Sequence, residues 1–427
     1  MNDTADHRRE LCEATYDMFM SSVAGEAAET TRFGAWVRDV EAEGLFAFEN
    51  RRLGRQGPHV AARRTTGDSL EMLNLSSYNY LGYAHHPQVI EAAKEALDRY
   101  GLGAASSPVH GGTFDLHARL EAELVDFMGL DDRGVSLFSS GYGVNTGTIS
   151  SIVGKRHHIV MDRACHMSIL EGAQLSRADL HYFRHNDPED LDAVLRRVRS
   201  QTNRVLVCTE GVFSADGDFG RLREVVAVAK RHEALVLVDE AHSFLVAGHS
   251  GRGVAEAAGV LADVDLYVLT FSKALGGIGG ALIASRDVAR YVNWYARCRM
   301  FSCALGPAVT GGVLRALQLG RGSDGDERRR RVVANAARLR ERLGGEVDLG
   351  VSESWIVPVI YGDEEKTLPV LDFIQRAGLD GSVLQFPAVG IGESRLRLFA
   401  TSEHRPEELD RAAAIVVQAA EAHGFAI

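Results

Sequence analysis

The chain has 427 residues, 45% hydrophobic and 25% charged, with 44 glycines, an ordinary globular composition and too much chain for one small core. Its formal net charge of −11 argues against nonspecific nucleic-acid binding, which needs a basic surface to displace counterions. No apolar run reaches the roughly 20 residues of a membrane span, the start Met1-Asn2-Asp3-Thr4 lacks a secretory signal's order, and five cysteines without CxxC spacing suggest neither a disulfide framework nor a zinc site; a reduced, cytoplasmic protein is expected.

Residues 1 to about 30 are polar and carry no motif. Residues 31–60, with Trp36 and Gly44-Leu45-Phe46-Ala47-Phe48, read as a helix and an extended arm leading to Leu73-Asn74-Leu75-Ser76-Ser77-Tyr78-Asn79-Tyr80-Leu81-Gly82. From about residue 110, helix-period segments alternate with short apolar runs, the pattern of an α/β domain with a mainly parallel sheet. In Phe138-Ser139-Ser140-Gly141-Tyr142-Gly143-Val144-Asn145, small residues stand between a strand and a helical pattern, where backbone amides at a helix N-terminus can hold an anion. Asp162-Arg163-Ala164-Cys165-His166-Met167-Ser168-Ile169 follows.

The clearest strands are Arg204 to Cys208, Leu235 to Val238 and Asp265 to Leu269, each short, apolar and rich in β-branched residues, as expected of strands buried on both faces. They run into Thr209-Glu210-Gly211, Asp239-Glu240-Ala241-His242 and Thr270-Phe271-Ser272-Lys273. Ligands of open α/β sheets bind beyond the carboxyl ends of the strands, so three ends loaded with polar groups predict one shared site. After Pro307 a long helix, an Arg-rich helix and a final αβ segment predict a second domain, and the run Arg328 to Arg331 reads as a solvated helix face. The expected division is an N-terminal helix and arm over 1–60, a large domain over 61–300 and a small one over 301–427.

Lys273 follows a strand and precedes Gly276-Gly277-Ile278-Gly279-Gly280, where backbone approaches closely for want of Cβ atoms. A lysine so placed can form a Schiff base with a carbonyl cofactor, though the segment alone also fits an exposed loop lysine. Asp239 suits the carboxylate that keeps a pyridine nitrogen protonated, which turns the ring into an electron sink. His242 could then reach the ring's phenolic oxygen, and His166 could stack on it. An Asp-Glu-Ala-His string also occurs in helicases, but this chain lacks their GxxxxGK[ST] phosphate loop.

In this order, Asn74 to Gly82, Ser140-Gly141-Tyr142, His166, Glu210-Gly211-Val212-Phe213-Ser214-Ala215-Asp216-Gly217, Asp239 to Ser243, Thr270 to Gly276, and Phe386-Pro387-Ala388-Val389 leading to Arg395-Leu396-Arg397 resemble the α-oxoamine synthase family, from about residue 31 to the C-terminus. The resemblance implies an α/β fold of the PLP-dependent transferase type I (aspartate aminotransferase-like), with a mainly parallel sheet, helices on both faces and a smaller C-terminal α+β domain. It implies pyridoxal 5'-phosphate (PLP) held by Lys273, with Asp239 at the pyridine nitrogen, His242 at the phenolic oxygen and His166 stacked over the ring. Ser140, Gly141, Tyr142, Thr270 and Ser272 would surround the phosphate, Glu210 and Ser214 would lie near the ring, and Lys273, His166, Asp239 and His242 would be catalytic. Arg397 would bind the amino-acid carboxylate with its bidentate fork, Asn79 would assist in substrate binding, and Arg395 would be structural.

The implied reaction is the decarboxylative condensation of glycine, alanine or serine with an acyl thioester, on CoA or on an acyl carrier protein acting in trans. A homodimer is implied, with no metal. An aminotransferase or aldolase-type enzyme of the same fold, and a noncatalytic PLP-binding protein, are the competing readings. Two stretches depart from the family pattern. Ser106-Ser107-Pro108-Val109-His110-Gly111-Gly112-Thr113 lacks the usual arginine, and Ser302-Cys303-Ala304-Leu305-Gly306-Pro307 replaces a Ser-Thr before Pro-Pro that supplies a phosphate contact across the dimer. Ser302 can still serve there, while Cys303 is a poorer donor.

Overall fold

In the computed structural model, which describes residues 2–12, 14, 26–199 and 204–427, the chain divides into two compact units. The first comprises the described residues of Met1–Ser77, Ala215–Gly217 and Arg331–Ile427, and the second Tyr78–Ser214 and Asp218–Arg330. The sequence pattern places the end of the arm near 60 and a break near 300. Strand pairing carries residues 61–77 into the first unit, since Leu73 and Asn74 pair with Leu379 and Asp380. Helix packing carries 301–330 into the second, where Pro307–Gly320 lies along Pro87–Tyr100 with Ala92 and Ala96 against Gly311.

The strands, in chain order, begin with β1 (Arg51–Arg52), β2 (His59–Arg63) and β3 (Ser69–Asn74). Then come β4 (Arg133–Phe138), β5 (His158–Asp162), β6 (Asp179–Phe183), β7 (Val205–Glu210), β8 (Leu235–Asp239), β9 (Leu266–Thr270) and β10 (Gly280–Ser285). The last are β11 (Ile356–Gly362), β12 (Leu379–Asp380), β13 (Ser382–Leu384) and β14 (Ser394–Phe399). In the first unit they make one sheet of order β1-β2-β3-β12 and another of order β11-β14-β13. Leu396 and Leu398 of β14 and Ile356, Val357 and Val359 of β11 are buried, as are Leu409, Ala412 and Val416 of the helix Pro406–His423.

The second unit holds a seven-stranded sheet of order β4-β10-β9-β8-β7-β5-β6. Neighbours β6, β5, β7, β8 and β9 are parallel, and β10 alone runs antiparallel, between β9 and β4. Every residue of β7 and β9 is buried, as the apolar runs that precede their polar last residues predict for strands covered on both faces. Val144 and Ile149 of the helix Gly141–Ile152 and Ile169 and Ala173 of the helix Met167–Ser176 join Ile159, Met161, Leu206, Leu237 and Val268 in one cluster. Truncating any of these leucines or isoleucines to alanine is expected to cost about 2–5 kcal/mol. This packing fixes the sheet edge on which the polar strand ends lie.

The Arg-rich run departs from a uniformly solvated face. Arg330 is exposed and pairs with Glu327, but Arg329 is buried, donating to the carbonyl of Gly320 at 2.7 Å and to the Asp326 carboxylate. Arg328 donates to Leu81 O at 2.7 Å and lies over the Tyr83 ring. Charge pattern could not show this, because a guanidinium tolerates burial wherever carbonyls and a carboxylate surround it. No helix among the described residues is long and apolar enough to cross a membrane.

Candidate active site

Parallel strands in register deliver their last residues to one edge. Glu210 pairs with Asp239 and Asp239 with Val268, so the two carboxylates are neighbours and Thr270 lies two residues further along β9. Gly280 faces both Thr270 and Phe138, bringing the turn after β4 to the same place. A cavity of about 320 Å³ opens there, lined by Ser140, Gly141, Tyr142, Asn145, His166, Ser168, Glu210, Asp239, Ala241, His242, Val268, Thr270, Ser272, Lys273 and Ile278. A larger hollow of about 570 Å³, between the helices Pro87–Tyr100 and Pro307–Gly320, is lined by Glu91, Glu95, Arg99, Arg119 and Arg315 and carries none of these strand ends.

Lys273 sits on a tight turn. Phe271 N donates to Gly279 O, Gly277 N to Phe271 O and Gly276 N to Lys273 O, all at 2.8–2.9 Å. Gly276 has φ +67°, and a Cβ there would lie 2.2 Å from the amide nitrogen of Ala84, so only glycine closes the turn without strain. The Lys273 ammonium nitrogen is 5.9 Å from the Tyr78 ring centre.

Ser140 caps the helix Gly141–Ile152, its hydroxyl accepting from Gly143 N at 2.9 Å. The open amides of that first turn make an anion seat. Thr270 and Ser272 hydroxyls stand 2.8 Å apart beside it. A Cβ on Gly141 would come 2.6 Å from Thr270 Oγ1, so the cradle requires the bare backbone. Asp239 is held by two donors, Ala241 N at 2.9 Å and Asn145 Nδ2 at 2.6 Å. Asn145 Nδ2 also reaches Ser168 Oγ at 2.9 Å, and Ser168 Oγ lies 2.8 Å from His166 Nδ1. The His166 backbone N–H donates to Glu210. Burial first, and the neighbouring Asp239 charge second, push the Glu210 carboxyl well above its ordinary range. His242 is buried, its Nδ1 2.7 Å from the Tyr80 hydroxyl and its ring edge-on to Tyr78.

Ser140, Gly141, Tyr142, His166, Glu210, Asp239, His242, Thr270, Ser272 and Lys273 are thus brought to one cavity, which Ser214, Ser302 and Asn79 do not line. The Asn79 side-chain carbonyl instead accepts from Ala84 N at 3.1 Å. In the first unit, Arg397 of β14 is buried, meets the Ser382 hydroxyl at 3.2 Å and lies over the Phe399 ring. Arg395, two residues earlier, is engaged by the Asp216 carboxylate and Glu393 O. Asn145, Ser168, Tyr78 and Tyr80 were not singled out from sequence. An asparagine one turn into the helical pattern that follows the small-residue turn was the available signal.

The residues fit a phosphorylated pyridine aldehyde: an amine on a rigid turn, an anion seat closed to any Cβ, and an aspartate oriented by two donors, on one small cavity. The family model for aminotransferases of class I and II matches residues 71–416. The chain is 40% identical over 381 residues to 8-amino-7-oxononanoate synthase of Geobacter metallireducens, covering 87% of this chain and 96% of that protein. It is 38% identical over 402 residues to the Geobacter sulfurreducens protein of the same name, covering 93% and 97%. Among solved structures, serine palmitoyltransferase of Sphingomonas wittichii superposes with a TM-score of 0.86 at 33% identity, covering 93% of this chain and 98% of that one.

Proposed function

We infer the residue roles from one premise: the chain belongs to the α-oxoamine synthase family, PLP-dependent C-acyltransferases that join an amino acid to an acyl thioester with loss of CO2. PLP is the cofactor, and when bound it supplies the electron sink that stabilises charge at the substrate α-carbon. Lys273 would hold the cofactor aldehyde through its amine and would serve as the general base for the α-proton. Asp239 would keep the ring nitrogen protonated, His242 would meet the phenolic oxygen, and His166 would lie over the ring. Ser140, Gly141, Tyr142, Thr270 and Ser272 bind the phosphate through amides and hydroxyls, and Ser302 serves the site of a second copy in a homodimer. Arg397 takes the amino-acid carboxylate as a bidentate fork, with Asn79 and Ser214 in supporting roles.

The substrates are a small amino acid, glycine, alanine or serine, and an acyl thioester carried on CoA or on a carrier protein, in a cytoplasmic setting. Because Pro108 to His110 stand where the family pattern has an arginine, which the resemblance ties to recognition of the acyl donor, a donor other than acetyl-CoA is favoured. The observation that carries this reading is the joint presence of Lys273, Asp239, His166 and the Gly141–Thr270 cradle on a single cavity.

The test is a titration of the purified yellow protein with each amino acid, following the visible cofactor band and CO2 release with acetyl and longer thioesters. A saturable band shift for one amino acid and thioester-dependent CO2 release are expected. Bleaching by an amino acid alone, with no thioester requirement, would instead mark an aminotransferase.

A further inference from the structure

Two buried polar side chains that carry no assigned role in the chemistry, Asn145 and Ser168, connect two that do. From Asp239, the hydrogen bonds run to Asn145 Nδ2 at 2.6 Å, from Asn145 Nδ2 to Ser168 Oγ at 2.9 Å, and from Ser168 Oγ to His166 Nδ1 at 2.8 Å. Asn145 and Ser168 are almost wholly buried, so water does not supply alternatives.

The chemistry of the partners fixes each proton. A carboxylate only accepts, so the Asn145 atom facing Asp239 must be its NH2. Both of that group's hydrogens are then used, one on Asp239 and one on Ser168, and Asn145 Oδ1 is buried with no hydrogen-bond partner. Since Ser168 Oγ accepts from Asn145, its own O–H is available to donate to His166 Nδ1. The backbone N–H of Ser168 also points at Nδ1, at 3.3 Å, and a backbone amide cannot accept. Nδ1 therefore carries the lone pair, and the proton of a neutral ring sits on Nε2. The Tyr142 ring stands edge-on to His166 at 6.2 Å, and Glu210 accepts its backbone N–H, so the ring and its backbone are both held.

We propose that Asn145 and Ser168 are positioning residues that hold His166 as the neutral Nε2–H tautomer, making it a hydrogen-bond donor to the reacting molecule and coupling its state to Asp239. This rests on the synthase reading for what His166 meets, but not for the tautomer itself. An N–H donor beside the cavity suits a carboxylate or a thioester carbonyl that gains negative charge as it is attacked. It excludes His166 Nε2 as the proton acceptor, a task left to Lys273.

The experiment uses the full PLP-loaded chain labelled with 15N-histidine, reading ring nitrogens by multiple-bond NMR near neutral pH. The His166 signals are assigned by their loss in His166→Asn. The expected result is a proton-bearing Nε2 and a bare Nδ1. A proton on Nδ1, or on both nitrogens, overturns the proposal without any variant. Ser168→Ala should keep the cofactor band, turn His166 into a tautomer mixture and lower kcat about 5- to 10-fold, with KM moved less than about 2-fold. Ser168→Thr should restore both tautomer and rate. An unchanged tautomer and rate in Ser168→Ala would sink the relay. Lack of thioester-dependent CO2 release alongside the expected tautomer would sink only the synthase reading.

Discussion

Strands β5 and β8 both end in a buried aspartate that lies near a histidine, yet the two ends do different work. Asp162 accepts from Ala164 N, Asn186 N and His185 Nδ1 at 2.8–2.9 Å, and His185 Nε2 reaches Asp218 at 3.0 Å. Burial lowers the proton affinity of His185, but hydrogen bonds to Asp162 and Asp218, and their charges, outweigh it and raise its pKa to about 10. Here an imidazolium is clamped between two carboxylates, with Phe213 edge-on at 4.4 Å. Asp239 instead has its donors behind it, on Asn145 and Ala241, and borders the cavity. A strand-end carboxylate becomes chemical where its neighbours orient it but leave one side open, and becomes mortar where they surround it.

That contrast can be broken by substitution. The largest effect is expected from Lys273→Ala, which should eliminate the covalent cofactor band and lower turnover by at least about 10⁴-fold, loss of both nucleophile and base, with the melting temperature nearly unchanged. Asp239→Asn should retain cofactor and fold while cutting kcat about 10²- to 10³-fold, the size of a lost electrostatic partner in a site; an equal loss of stability would erase the distinction from Asp162.

His185→Ala should do the reverse, costing about 3 kcal/mol in denaturant unfolding because it leaves two buried carboxylates without their cation, while kcat of the folded protein moves little. The sign of its pH dependence follows from the raised pKa. Folded His185 binds its proton more tightly than the unfolded chain does, so its contribution is complete below about pH 6.5 and is lost as pH rises through about 10. The gap between native protein and His185→Ala should therefore narrow from pH 7 to 10 in paired denaturation curves. A smaller effect is expected from Gly141→Ala, whose Cβ would press on Thr270 Oγ1. Cofactor affinity should fall about 10-fold, read by equilibrium dialysis of PLP, with the unfolding midpoint shifted only slightly.

Most of the site was legible because its parts are local. A lysine after an apolar strand and before five residues containing four glycines, a second strand ending Asp239-Glu240-Ala241-His242, and a small-residue turn entering a helix each announce their geometry within a few residues. The mainly parallel sheet followed from the same alternation and the PLP transferase fold from the family resemblance, while its seven strands and their order came from the structure. Parallel strands start on one edge and end on the other, so polar ends in a sequence of buried strands must gather.

Tertiary structure decided which of those ends is closed and which is open. Asn145 meets Asp239 across 94 residues and Tyr80 meets His242 across 162, pairings set by strand order and helix packing, on which no local pattern bears. The same holds for Arg329, whose place in a charged run says surface while carbonyls of Gly320 and Leu245 hold it inside. Sequence determined which chemical groups this protein carries and on which sheet edge they emerge, since both are properties of short segments. The hydrogen-bond partners that orient one aspartate and immobilise another came only from the folded chain, because a donor's direction is fixed by the packing of segments far apart in sequence.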